Sequence, residues 1–148
     1  MGNRRVVVTG MGIVSAIGNK TQEVLASRRE AKSGISAAPE YAEKGCRSLV
    51  HGQPSVKPEE VVDKRNMRFM GEGSGWNFIA MEQAIQDAGL TPEEVSNPRT
   101  GIIMGSGGPS ARAIVLAADT AREKGAKRVG PFAVPKAMSS TASATLST

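Results

Sequence analysis

The chain is poor in the residues that carry most protein chemistry. Its 148 residues include one cysteine, Cys46, and one histidine, His51. A single cysteine excludes an internal disulfide and suits a reducing cytoplasm. One cysteine with one histidine also falls short of the three or four ligands of an ordinary zinc site. Aromatic residues make up only 3% of the sequence: Trp76, Tyr41, Phe69, Phe78 and Phe132. Proteins that hold single-stranded nucleic acid stack bases on aromatic platforms, and no interleaved basic and aromatic motif exists here. No apolar run reaches the roughly 18 residues of a membrane helix. Arg4 and Arg5 precede only three valines, too few for the apolar region of a secretory signal. These absences describe a cytoplasmic chain with neither a nucleic-acid nor a membrane partner.

What is present is an excess of positive charge. Nineteen Lys and Arg oppose 14 Asp and Glu, a formal charge of +5. Such a balance favours an acidic partner, here an acidic protein over nucleic acid. Hydrophobic residues at 39% and charged residues at 22% fit one soluble globular domain.

Punctuation along the chain predicts alternating elements. Residues 5–9, Arg-Val-Val-Val-Thr, read as a short buried strand. Gly10 and Gly12 then allow a tight turn. Asn19 or Thr21 is placed to cap a helix that runs to about Ala31, with Val24 and Leu25 inward and Gly34 beyond its end. Residues 35–60 hold Pro39, Pro54 and Pro58 and read as loops and short elements. The clearest helix covers about 74–88, where Trp76, Ile79, Ala80, Ala84 and Ala88 share one face and Gly89 closes the end. Gly71, Gly73 and Gly75 weaken the turn before it. Thr91-Pro92-Glu93-Glu94 has the pattern of a capping box, and residues 97–100 form a turn. Residues 101–105 read as a second buried strand, followed by a glycine-rich turn and a helix to about Glu123. Pro131 and Pro135 interrupt the stretch beyond that helix, and residues 136–147 are small and compatible with a helix. Strand, glycine turn and helix recurring at both ends indicate an α/β fold.

Several segments are candidates for chemistry. Gly10-Met11-Gly12-Ile13-Val14-Ser15 resembles part of a dinucleotide fingerprint, but Ser15 stands where the third glycine belongs. Ser106 lacks the glycine two residues earlier that a nucleophile elbow needs, and no Gly-Lys-Ser/Thr follows the turn to make a P-loop. Cys46 reads as a loop residue with only Arg47 to activate it. Lys64, Arg65 and Arg68 share one face if helical, as either a solvated surface or a seat for an acidic helix or phosphodiester. Lys124, Lys127 and Arg128 form a second basic group.

Taken together, longer motifs resemble one family. They are Val8-Thr9-Gly10-Met11-Gly12-Ile13-Val14-Ser15, Gln22-Glu23-Val24-Leu25-Ala26-Ser27, Lys32-Ser33-Gly34-Ile35 and Arg68-Phe69-Met70. Met81 to Leu90, Gly105-Ser106-Gly107-Gly108, Val129-Gly130-Pro131-Phe132 and Lys136-Ala137-Met138 continue the pattern. The chain resembles the N-terminal portion of a β-ketoacyl-acyl-carrier-protein synthase, with Gly107 favouring the type I bacterial branch.

That resemblance implies an incomplete N-terminal portion of a thiolase-like layered fold, over residues 1–148. It implies an acyltransferase of fatty-acid biosynthesis, homodimeric when complete, that condenses acyl chains by decarboxylating malonyl-acyl carrier protein. No metal or nucleotide cofactor is implied. The partner is acyl carrier protein with its phosphopantetheine-linked chain. Lys64, Arg65 and Arg68 match the basic group that holds this acidic protein, and Lys124, Lys127 and Arg128 match a second one. Gly107 and Met138 match positions around the acyl pocket, with Phe132 close by. No catalytic residue of the family falls on this sequence: Cys46 and His51 match none, and Thr145 stands where close relatives have an earlier cysteine. The nucleophilic cysteine is expected shortly after Thr148 and the histidines far beyond it. The 148 residues alone are then expected to be inactive and to expose unpaired sheet edges. Two further readings are a non-catalytic module that binds acyl carrier protein and a nucleotide-binding α/β domain.

Overall fold

The longest helix organises the structure. A computed structural model describes residues 4–147. In chain order it contains α1 (Thr21–Arg29), β1 (Ile35–Ala37), α2 (Glu40–Glu43), β2 (Val50–Gly52), α3 (Pro58–Val61) and α4 (Lys64–Met67). Then come α5 (Glu72–Ala88), α6 (Pro92–Val95), α7 (Ala111–Lys124), a single 3-10 turn (Ala126–Arg128), α8 (Ala133–Ala137) and α9 (Thr141–Leu146). Contacts of α3 and α9 both converge on α5.

The N-terminal segment crosses α5 at backbone distance. A Cβ on Gly10 would lie 2.7 Å from the Ala88 nitrogen, and one on Gly12 would overlap the Ala80 carbonyl. Only glycine permits so close an approach. The amides of the segment are satisfied by side chains of the helix. Met11 N–H donates to Asp87 Oδ2 at 2.9 Å, and Ile13 N–H donates to Gln83 Oε1 at 3.1 Å. Gln83 Nε2 in turn donates to the Asn19 carbonyl at 2.7 Å. One glutamine thus ties both ends of the stretch before α1 to α5.

The same device recurs at the start of α5. Gly75 is buried, and a Cβ there would meet the Pro58 ring. Trp76 Nε1 donates to the Val56 carbonyl at 3.0 Å. The small apolar core lies beside this contact: Val62, Met70 and Ile79, with Val14, Val56, Met67 and Phe78 packed against them. The glycines before Trp76 weaken helix propensity, but Gly75 creates the seat for α3.

Several expectations hold at the residue level. Gly89 closes α5 with φ of 66°. Thr91 and Glu94 complete the capping box of α6. Asn97 shapes the following turn, its amide donating to the Glu94 carbonyl at 2.6 Å and to Thr100 Oγ1 at 2.9 Å. Pro135 does not break its region. It lies in the first turn of α8, where its missing N–H costs nothing. The small residues 136–147 split between α8 and α9 rather than forming one helix.

Other expectations are corrected. Residues 5–9 and 101–105 are not strands, and Val6, Val7, Val8 and Ile103 are exposed. Neither segment meets a neighbouring strand among the described residues, and a ladder needs one to satisfy its N–H and C=O groups. The sheet that does form is an antiparallel pair, with Ile35 opposite Gly52 and Ala37 opposite Val50. Neither Asn19 nor Thr21 caps α1. Lys20 occupies that position without a side-chain bond, and Asn19 Nδ2 donates to Ser55 Oγ at 2.6 Å. Helix α1 stops at Arg29, and Leu25 is exposed while Ser27 is the buried residue.

Gly12→Ala should therefore destabilise the protein by about 1–3 kcal/mol, because main chain cannot rotate away as a side chain can. Gly73→Ala should stabilise it by about 0.5–1 kcal/mol, since open space surrounds that helical position. Urea unfolding of the two variants checks both signs.

Candidate functional site

Helix α4 presents its basic residues because both of its ends are anchored. Val62 before it and Met70 after it are buried in the core. Asp63 caps it by accepting from Arg65 N–H at 2.7 Å. Lys64, Arg65 and Arg68 between these anchors are exposed. Among the described residues no carboxylate forms an ion pair with any of the three. Their positive charge is unneutralised and faces water.

Arg68 is held differently from its neighbours. Its guanidinium carbon lies 4.8 Å from the Phe69 ring centroid and 5.4 Å from that of Phe132. The two rings meet edge to face, with centroids 5.2 Å apart. Arginine over an aromatic face is attracted by the ring quadrupole while its N–H edges stay free. Sequence adjacency hints at the Phe69 contact. Nothing in the sequence signals Phe132, which comes from a distant segment.

The second basic group follows α7. Lys124 ends that helix, a position that suits a cation near the helix C-terminus, and Lys127 and Arg128 lie in the 3-10 turn. All three are exposed. Val129 and Gly130 lead from this turn to Phe132, whose ring fastens the segment to Phe69 and Arg68. The fold thereby connects the two basic groups through one aromatic contact.

A separate cleft of about 220 Å³ lies between the start of α5, residues 106–110 and the end of α8. Ser106, Gly108, Met138 and Ser139 are among its lining residues. Gly107 sits inside this loop in open space, so substitution there meets no atom within 4 Å. Ser110 N–H donates to the Ala137 carbonyl at 2.9 Å, and Arg112 pairs with Glu72 at 2.9 Å. Met138 and the Gly107 loop are thus brought together. Phe132 does not line this cleft; its ring belongs to the Arg68 cluster.

The remaining candidates are not arranged for catalysis. Cys46 is exposed in a turn where its N–H donates to the Tyr41 carbonyl at 2.9 Å. His51 Nδ1 lies 3.3 Å from the Tyr41 hydroxyl. Ser106 donates its hydroxyl to the Gly108 carbonyl at 2.7 Å, with no histidine beside it. Thr145 Oγ1 donates to the Thr141 carbonyl at 2.8 Å. The dinucleotide reading fails on geometry: α5 fills the space beside Gly10 and Gly12 that a pyrophosphate would occupy, and the Met11 and Ile13 amides are taken.

Comparison with known proteins shows the family and the fold. A family model, "Beta-ketoacyl synthase, N-terminal domain", matches residues 3–148. The chain belongs to the β-ketoacyl synthase family. It is 50% identical over 147 residues to 3-oxoacyl-[acyl-carrier-protein] synthase 1 of Escherichia coli K12, covering 98% of this chain and 36% of that protein. It is 47% identical over 146 residues to the protein of the same name from Haemophilus influenzae, with the same coverage. The chain thus spans about a third of the length of these relatives. Its fold matches a crystal structure of a β-ketoacyl synthase from Burkholderia phymatum, with a TM-score of 0.82 at 24% identity, over 98% of this chain and 36% of that one. A ketosynthase in complex with a type II polyketide acyl-carrier protein also shares it, with a TM-score of 0.73 at 20% identity, over 98% and 38% of the two chains. The fold is that of the N-terminal part of a thiolase-like ketosynthase.

Asp63→Ala removes the cap of α4. It should lower stability by about 1 kcal/mol and loosen Lys64 and Arg65, an effect that amide hydrogen exchange across residues 64–68 would register.

Proposed function

We propose that residues 1–148 are the N-terminal part of a longer β-ketoacyl-acyl-carrier-protein synthase domain of fatty-acid biosynthesis, a cytoplasmic homodimer when complete. The whole enzyme condenses an acyl group with malonyl-acyl carrier protein, losing carbon dioxide and forming a 3-oxoacyl chain. The observation that carries this reading is the identity to 3-oxoacyl-[acyl-carrier-protein] synthase 1, which extends across 98% of the chain. The unneutralised basic face supports it independently.

In this reading the chain contributes recognition rather than bond making. Lys64, Arg65 and Arg68 hold the acidic surface of acyl carrier protein, and Lys124, Lys127 and Arg128 extend the same attraction. Long-range positive charge steers an acidic partner toward the site before contact, and salt weakens that steering. The Gly107 loop and Met138 form part of the wall against which the delivered acyl chain lies. A glycine at position 107 leaves room that a bulkier residue would fill. In this reading the nucleophilic thiol and the two assisting histidines lie outside these residues; Cys46 is exposed and His51 half-buried in the β1–β2 hairpin region. No metal or nucleotide is required.

Charge reversal at Lys64, Arg65 and Arg68 together should weaken binding of holo acyl carrier protein to the full-length protein by at least about tenfold at low salt, with a shallower salt dependence. Fluorescence anisotropy titration measures this, and unchanged affinity would remove the reading. In the same protein Cys46→Ala should leave the condensation rate unchanged. A loss of activity at that substitution would place the reactive thiol within this chain.

A further inference from the structure

We propose that residues 33–54 form a strap that unfolds as a unit while α5 and its neighbours stay folded, with Ala31 as its strained joint. The bonding pattern carries the first part. The strap is bonded to itself through the β1–β2 ladder, the Ala38 N–H on the Leu49 carbonyl at 2.8 Å, the Cys46 N–H on the Tyr41 carbonyl and the Tyr41–His51 contact. Among the described residues no hydrogen bond or ion pair joins residues 33–54 to the rest of the chain. What remains is packing. Gly34 and Gly52 lie against Ala16, and a Cβ on Gly34 would come 2.5 Å from the Ala16 carbonyl oxygen. Within the strap only Ala38 is buried. Opening therefore exposes little apolar surface, and two strands of three residues are not stable without support.

The chain on either side is held firmly. Ser27 is buried, and its hydroxyl donates to the Ile17 carbonyl at 2.7 Å. Beyond the strap, Asn19 Nδ2 donates to Ser55 Oγ and Trp76 Nε1 to the Val56 carbonyl. Between Ser27 and the strap stands Ala31 with φ of 51°, the one non-glycine at positive φ among the described residues. That conformation lets the Ala31 and Lys32 amides reach the Arg28 and Ser27 carbonyls and so closes α1. It also crowds the alanine Cβ against backbone, a cost that glycine escapes. The strain is released only when the turn unwinds, so it favours opening at this end. Opening uncovers Ala16 and Ile17 and stops at the bonds of Ser27, Ser55 and Val56.

Amide hydrogen exchange of the full-length protein, read by mass spectrometry under native conditions, tests both parts. Amides of the β1–β2 ladder, Ala38 and Cys46 should exchange together, at least about tenfold faster than those of α5. Protection equal to that of α5 would mean that the segment opens only with the whole fold, and would overturn the proposal. Ala31→Gly should slow exchange across residues 33–54 by about two- to fivefold, the relief of strain being partly offset by the greater freedom of glycine in the open state. Ala31→Val, whose branched side chain tolerates positive φ still less, should accelerate it, with the thermal midpoint showing that the variant is folded. If Ala31→Gly slows α5 but leaves residues 33–54 unchanged, the turn does not unwind with the strap, and Ala31 is not its joint.

Discussion

The structure depends on how closely backbone can approach α5. Gly10 and Gly12 bring one segment against the Ala80–Ala88 side of the helix, and Gly75 admits Pro58 near its start. Each contact replaces side-chain packing with main-chain packing, which only glycine allows. Close approach also removes water from peptide groups, so each needs a partner. Asp87 and Gln83 supply acceptors for Met11 and Ile13, and Trp76 supplies a donor for Val56. The helix thus works as a post to which preceding segments are tied by both shape and hydrogen bonds.

The basic face follows from that post. Seating Pro58 on Gly75 places α3, and the buried pair Val62 and Met70 then brackets α4. With both ends held, Lys64, Arg65 and Arg68 between them are left exposed. Their charge stays unpaired because no acidic side chain of the described residues reaches them. Unpaired surface charge contributes little to folding, but it gives a long-range attraction to an acidic protein. Coulomb attraction alone is not selective in orientation. Beside Arg68 lie two aromatic rings, whose attraction for the cation restrains that side chain.

The cleft beside the Gly107 loop belongs to the same design. It opens at the N-terminal end of α5, whereas the Gly10–Gly12 contact lies toward the other end. Arg112 with Glu72, and Ser110 with Ala137, hold its walls together across three segments. The basic face of α4 and this cleft are thereby both positioned by one helix and its neighbours.

Local rules made much of this legible. The apolar stripe from Trp76 to Ala88, the left-handed Gly89, the Thr91 capping box and the Asn97 turn are encoded within a few residues, and each formed as its pattern implies. The family, too, was legible from motifs spread along the chain. The β-branched runs at 5–9 and 101–105 misled, because a strand is a property of two segments and the pattern describes only one. The contact of Phe132 with Arg68 was also illegible, since no periodicity links residues so far apart. By itself, then, the sequence determined the long helix α5 and its Gly89 end, the Thr91 capping box, the excess of basic charge and the family, all of which rest on short-range chemistry or composition. Tertiary structure alone decided which glycines face α5, that Gly75 seats Pro58, and that Phe132 joins Arg68, because close approach and aromatic contact exist only once separate segments share space.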